Sequence, residues 1–243
     1  MNRPILPVLL LFISLSLGAQ NITPSVFNAN RGNDSKWLLY KNNDEALYKI
    51  ITDRAFELLD QRKEKINGLQ TRADWLNYQT ELKEKYGESL KKFKKTPLNA
   101  HITGTLERDN FTVEKIVFES HPKFYVTSCL FIPKNRQKPA PAVIYVSGHT
   151  ELGFRSDVYQ RVILNLVDKG FIVFAFDPIG QGERLQYVDP KTGKSKVGGP
   201  TTEHSFAGVQ TLLTGTSLSD YFIWDGVRAV DYLLTRKEVD AKR

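Results

Sequence analysis

Residues 142–176 read AVIYVSGHTELGFRSDVYQRVILNLVDKGFIVFAF, and this stretch decides the fold. Two short apolar runs, Ala142–Ser147 and Phe171–Phe176, are rich in β-branched and aromatic residues and have the length of buried strands. Between them, Ser156 opens a stretch with helical apolar spacing that runs to about Lys169. Gly170 stands where a helix C-terminus favours glycine. Strand, helix and strand in that order make a βαβ unit, with two parallel strands and a right-handed crossover. The loop Gly148–Arg155 then lies at the carboxyl end of the first strand, where open α/β sheets build their sites.

Upstream of this block the period is 2. Residues 111–119 and 124–132 read as strands. In the second, Phe124, Val126, Ser128, Leu130 and Ile132 alternate with Tyr125, Thr127, Cys129 and Phe131, and both faces are apolar enough to be covered. His121 and Pro122 make a connection short enough for an antiparallel pair. Further upstream, over 43–95, the period is 3.6. Leu47, Ile50, Ile51, Ala55, Leu58 and Leu59 recur at helical spacing. Thr71 and Asp74 form a capping box before Trp75, Tyr78, Leu82 and Tyr86, and Gly87 and Pro97 close the region. Downstream, 177–202 is a loop rich in Gly, Pro and Lys. Helical stretches follow at about 203–213 and 218–235, and residues 237–243 read as the lead-in to another strand.

The chain has 243 residues, 41% apolar and 25% charged, a net charge of +7 and one cysteine. That length supports a core without staples, and the charge fraction excludes a disordered tail. One cysteine excludes a disulfide framework and a cysteine-based zinc site. Met1–Gln20 combines a basic start at Arg3, an apolar run Ile5–Leu17 and the small residues Gly18 and Ala19. This is the three-part pattern of a secretory leader cleaved after Ala19, and its apolar run is too short for a comfortable membrane span. The expected segments are a signal peptide at 1–19, a lead-in and helical region at 20–99 and a sheet domain at 100–243. The expected location is secreted or periplasmic, with no membrane contact beyond the leader. Asn21, Asn33 and Asn110 lie in glycosylation sequons.

Three landmarks stand in order: Tyr145-Val146-Ser147-Gly148-His149-Thr150-Glu151, Phe176-Asp177-Pro178-Ile179-Gly180-Gln181-Gly182-Glu183-Arg184, and the helix containing Trp224-Asp225-Gly226-Val227-Arg228. Together, over about residues 105–243, they resemble the α/β-hydrolase fold. More narrowly they are similar to its exported dienelactone-hydrolase-like and acetyl xylan esterase-like branch. The fold class expected is α/β: an N-terminal helical region, then the first half of an α/β-hydrolase sheet, an antiparallel pair followed by a parallel βαβ unit. The resemblance implies a serine carboxylic ester hydrolase, a carbohydrate acetyl esterase acting without a cofactor on a small-molecule or polysaccharide ester. It assigns the oxyanion-hole backbone N–H to His149, with Gly148 freeing the backbone angle and Thr150 as the alternative donor. Glu151 and His204 border the substrate cleft in this reading. The turn at 177–184 ends in Arg184 where the family has Ser. A prolyl-oligopeptidase-like peptidase shares the fold, but about 85 mature residues before the sheet are too few for its propeller. A truncated, non-catalytic binding protein is the other alternative.

Catalysis in this fold needs a serine on a G-x-S-x-G turn. Gly215-Thr216-Ser217-Leu218-Ser219 begins that pattern but lacks its last glycine and follows no strand. The triad is therefore expected beyond Arg243, and the 243 residues alone are expected to be inactive. His101, His121, His149 and His204 are widely spread and no H-E-x-x-H occurs, so no metal site is expected. Gly180-Gln181-Gly182 starts a dinucleotide fingerprint, but Leu185 stands where its third glycine belongs. The run Lys91-Lys92-Phe93-Lys94-Lys95 reads as a solvated helix end, with no nucleic-acid motif beside it.

Overall fold

The computed structural model describes residues 45–243. The leader and the sequons at Asn21 and Asn33 lie outside the described residues. The described residues divide into two units, one ending at Tyr78 and the other Gln79–Arg243, and the division falls inside a helix.

In the first unit, helix α1 (Ala46–Asn67) is followed by the start of α2 (Arg72–Ser89). The capping box forms. The Asp74 amide donates to Thr71 Oγ1 at 3.1 Å, and the Thr71 amide donates to Asp74 Oδ2 at 2.8 Å. The α1 positions that recur at helical spacing, among them Leu47, Ile50, Ile51, Leu58 and Leu59, are exposed. Tyr78 is buried, with the Lys65 ammonium over its ring at 5.1 Å.

The second unit carries a five-stranded sheet: β1 (His101–Glu107), β2 (Phe111–His121), β3 (Phe124–Pro133), β4 (Ala142–Val146) and β5 (Ile172–Phe176), in the order β1-β2-β3-β5-β4. Neighbours are antiparallel as far as β3–β5, and β4–β5 is parallel. The expected antiparallel pair and βαβ unit are both present. Helices α3 (Asp157–Asp168) and α5 (Leu218–Leu233) cover the two faces. Along β5, Ile172, Phe174 and Phe176 pack with Ala229, Tyr232 and Leu233 of α5. Val173 and Ala175 pack with Ile163 and Val167 of α3. That explains the unbroken apolar run of β5: a strand covered on both faces has no polar side. Helix α4 (Pro200–Leu213) precedes α5.

Three local readings change. Strand β1 has no strong signal, because HITGTLE carries Gly104 at its centre and exposes Ile102 and Leu106. Its pairing with β2, through an irregularity between Ile102 and Gly104, makes it a strand. Residues 90–98 are not a helix end but an extended strap. Phe93 enters an aromatic cluster with His121, Tyr221 and Trp224, and Lys95 pairs with Asp231 at 2.7 Å. Ser156 occupies the N-cap of α3, but its side chain makes no capping bond; Asp157 supplies the acidic group of that first turn.

The lead-in expected at 237–243 runs along the outer side of β4. Ala140 and Val239 form a parallel bridge, the Ala140 amide donates to the Glu238 carbonyl, and the Asp240 amide donates to the Ala140 carbonyl.

Candidate active site

Strands β4 and β5 end level, with Val146 opposite Phe176. The loop after β4 therefore lies beside the turn after β5, at the carboxyl ends of the parallel pair. Asp177, the first residue past β5, ties the two together. Its side chain is fully buried and accepts from Thr127 Oγ1 at 3.2 Å and from the Glu183 amide at 3.1 Å, with Arg155 3.2 Å away. Burial pushes the Asp177 carboxyl above the ordinary carboxylate range, opposed by the Glu183 amide and then by Arg155. Gly153 (φ +56°) and Gly182 (φ +57°) face this carboxylate, and a Cβ at either would fall inside it.

Gly148 plays a different part from the one expected. Its φ is not positive; its missing side chain leaves room for the Tyr159 hydroxyl, which would lie 2.5 Å from a Cβ there. The Thr150 amide donates to Gln181 Oε1 at 2.7 Å, and the Thr150 hydroxyl donates to the Gly153 carbonyl at 2.9 Å. The His149 amide makes no such bond among the described residues. The His149 ring reaches across the mouth of the loop to His204 on α4. His149 Nε2 lies 3.0 Å from His204 Nδ1, and His204 Nε2 lies 2.7 Å from the Ile179 carbonyl oxygen. Burial lowers the His204 pKa below the usual imidazole value.

A cavity of about 250 Å³ opens here, lined by Ser147, His149, Phe176, Gln181, His204 and Phe222. Its floor is the ends of β4 and β5 and its wall is α4. Of the residues singled out from sequence, the structure brings His149 and His204 together in it and holds Thr150 against Gln181 at its edge. Glu151 faces a neighbouring depression with Lys194 and Ser195, and its carbonyl accepts from the Gly182 amide at 3.2 Å. No group of three or more His, Cys, Asp or Glu side chains that could hold a metal occurs among the described residues. Burial pushes the Cys129 thiol up to about 11, which leaves it unreactive at neutral pH.

Residues 54–197, more than half of the chain, match the model of the Abhydrolase family. The chain belongs to the Abhydrolase family. This Abhydrolase chain is similar in fold to a protein from Bacteroides fragilis NCTC 9343 assigned as an acetyl xylan esterase. The two share 21% identity at a TM-score of 0.57, over 70% of this chain and 46% of that one. Acetyl xylan esterase 1 from Thermoanaerobacterium sp. JW/SL YS485 matches at 20% identity and TM-score 0.47, over 65% of this chain and 47% of that one. A glucuronoyl esterase from Solibacter usitatus matches at 16% and 0.40, over 64% and 46%. The chain thus spans about half the length of the solved structures it matches. No curated protein matches it.

The candidate site has features that sequence reasoning missed. Arg184 is buried and paired with buried Asp225 at 2.7 Å. It also donates to the Asp177 carbonyl at 2.9 Å and the Tyr125 carbonyl at 3.1 Å. Arg184 thus forms an ion pair that joins the turn to α5. Glu203, beside His204, is fully buried. It accepts from the Gln186 amide at 2.8 Å, the Tyr187 amide at 3.3 Å and the Ser195 hydroxyl, and so pins the 185–199 loop beside the cavity. A polar residue one turn into a helix that opens with Pro200 was the available signal for it.

Proposed function

We propose that the chain is part of an exported serine carboxylic ester hydrolase that removes small acyl groups, acetyl foremost, from carbohydrates. The observation that carries this reading is the His149 amide. It has no hydrogen-bond partner among the described residues and belongs to the loop just after β4, in a residue that lines a small cavity, while the neighbouring Thr150 amide is taken by Gln181. An amide so placed can meet the negative charge that develops on an ester carbonyl oxygen. The cavity, at about 250 Å³, leaves room beside that residue for part of an ester substrate.

The reaction follows the serine pattern. A serine oxygen attacks the ester carbonyl, the oxyanion settles on the His149 amide, and the alcohol leaves with a proton. Water then cleaves the acyl-enzyme to release the acid. In this reading the chain supplies the oxyanion donor and the cleft walls. The leader pattern at 1–19 supports export to the periplasm or medium.

The test is expression of the native reading frame with any coding sequence that continues it, followed by acetate release from acetylated xylooligosaccharides. Release that is abolished by a serine-directed phosphonate is expected, with none from the 243 residues alone. A frame encoding no G-x-S-x-G serine, or an extended protein that releases no acetate, overturns the reading.

A further inference from the structure

The Ile179 carbonyl oxygen can only accept a hydrogen bond. His204 Nε2 lies 2.7 Å from it, so the His204 proton sits on Nε2. Neutral His204 then carries its lone pair on Nδ1, and His149 Nε2 lies 3.0 Å from that atom. His149 must donate from Nε2. In the neutral ring its other nitrogen, Nδ1, is left as an acceptor with no partner among the described residues. One backbone carbonyl thus sets the polarity of two rings in series. His204 is held in place for this task by an edge-on contact with Phe222, centroids 5.1 Å apart at 71°. Burial favours its neutral form, with the Ile179 carbonyl and Glu203 opposing.

The geometry points to the His149–His204 pair as a hydroxyl-recognising subsite: His149 Nδ1 accepts from a substrate hydroxyl, and His204 is the positioning residue that fixes its tautomer. A neutral ring nitrogen offers one lone pair and no charge, which fits an alcohol O–H rather than an anion or a carbonyl. The same cavity is lined by Val146, Phe176, Pro178 and Phe222, apolar surfaces that suit the C–H faces of a sugar ring. The ligand class is a sugar or polyol with a free hydroxyl next to the acylated one. The ester identity rests on the function proposed above; the hydroxyl contact does not need the nucleophile.

The first experiment follows the histidine ring nitrogens by NMR in the 243-residue chain, with xylobiose, which carries no ester, as the probe. The Nε2–H form of His149 is expected, and xylobiose shifts the Nδ1 resonance. His204→Gln keeps both results, because its amide can donate to Ile179 and accept from His149; His204→Phe loses both. A His149 found as Nδ1–H, an Nδ1 resonance indifferent to xylobiose, or an unchanged response in His204→Phe overturns the proposal. The second experiment uses the extended protein. The ratio of kcat/KM for acetylated xylobiose to that for p-nitrophenyl acetate falls about tenfold in His204→Phe and returns to within about threefold of wild type in His204→Gln. Equal loss on both substrates overturns the subsite. Xylobiose bound through His149 by a protein that cleaves neither ester supports the subsite and overturns the esterase reading instead.

Discussion

Asp177 is the residue on which the site is assembled, and its environment makes sharp demands on its neighbours. Gly153→Ala places a methyl inside the Asp177 carboxylate at φ +56°, so a loss of roughly 2–4 kcal/mol is expected by urea unfolding. Removing the carboxylate with Asp177→Ala before adding Gly153→Ala should make the second change much cheaper, leaving mainly the left-handed backbone cost of about 1 kcal/mol. His204 and His121 give the pH dependence. Burial lowers both below their ordinary 6.5. The unfolded chain binds the extra protons, so this stability is complete above about pH 6.5 and is lost as pH falls through the folded values. Asp177, raised by burial, acts in the opposite sense through its own window. Urea midpoints between pH 7.5 and 5 should therefore fall, and His204→Gln should flatten the slope. None of this pairing was legible in the sequence. His149 and His204 are 55 positions apart, and only the level ends of β4 and β5, with α4 laid across them, bring the rings together.

The elements were legible to the extent that their own residues form them. The βαβ block carries strong patterning and a glycine stop, and Gly170 indeed sits at φ +88°. The Thr71–Asp74 box was readable because both partners lie within one turn. Strand β1 and the strap at 90–98 were not, because each is held by bonds to distant residues. Asp220 shows how such a segment is fixed. It completes a capping box with Ser217 at the start of α5, and it also accepts from the Lys91 amide at 2.8 Å. An ordinary cap is worth about 1 kcal/mol. Asp220→Ala should cost roughly 2–3 kcal/mol, because the strap loses its anchor as well. Ser217→Ala should cost about 1 kcal/mol, and the gap between the two in thermal unfolding measures the strap.

At the scale of the molecule, residues 236–243 matter to the sheet. Arg236 pairs with Glu114 of β2 at 2.7 Å and with Glu238, and three backbone bonds run between 140–142 and 238–243. Deleting 237–243 should cost roughly 2–4 kcal/mol and promote self-association, read by urea unfolding and light scattering. The sheet order also has a consequence for synthesis. Strand β4 leaves the ribosome before β5, yet β5 is the strand that joins β4 to the already paired β1–β3. At roughly 5–20 residues per second, the 30 residues from Val146 to Phe176 leave β4 waiting for seconds with neither edge paired. In that interval Ala142–Val146 is a nascent apolar strand in need of cover, the natural point for a chaperone to hold the chain.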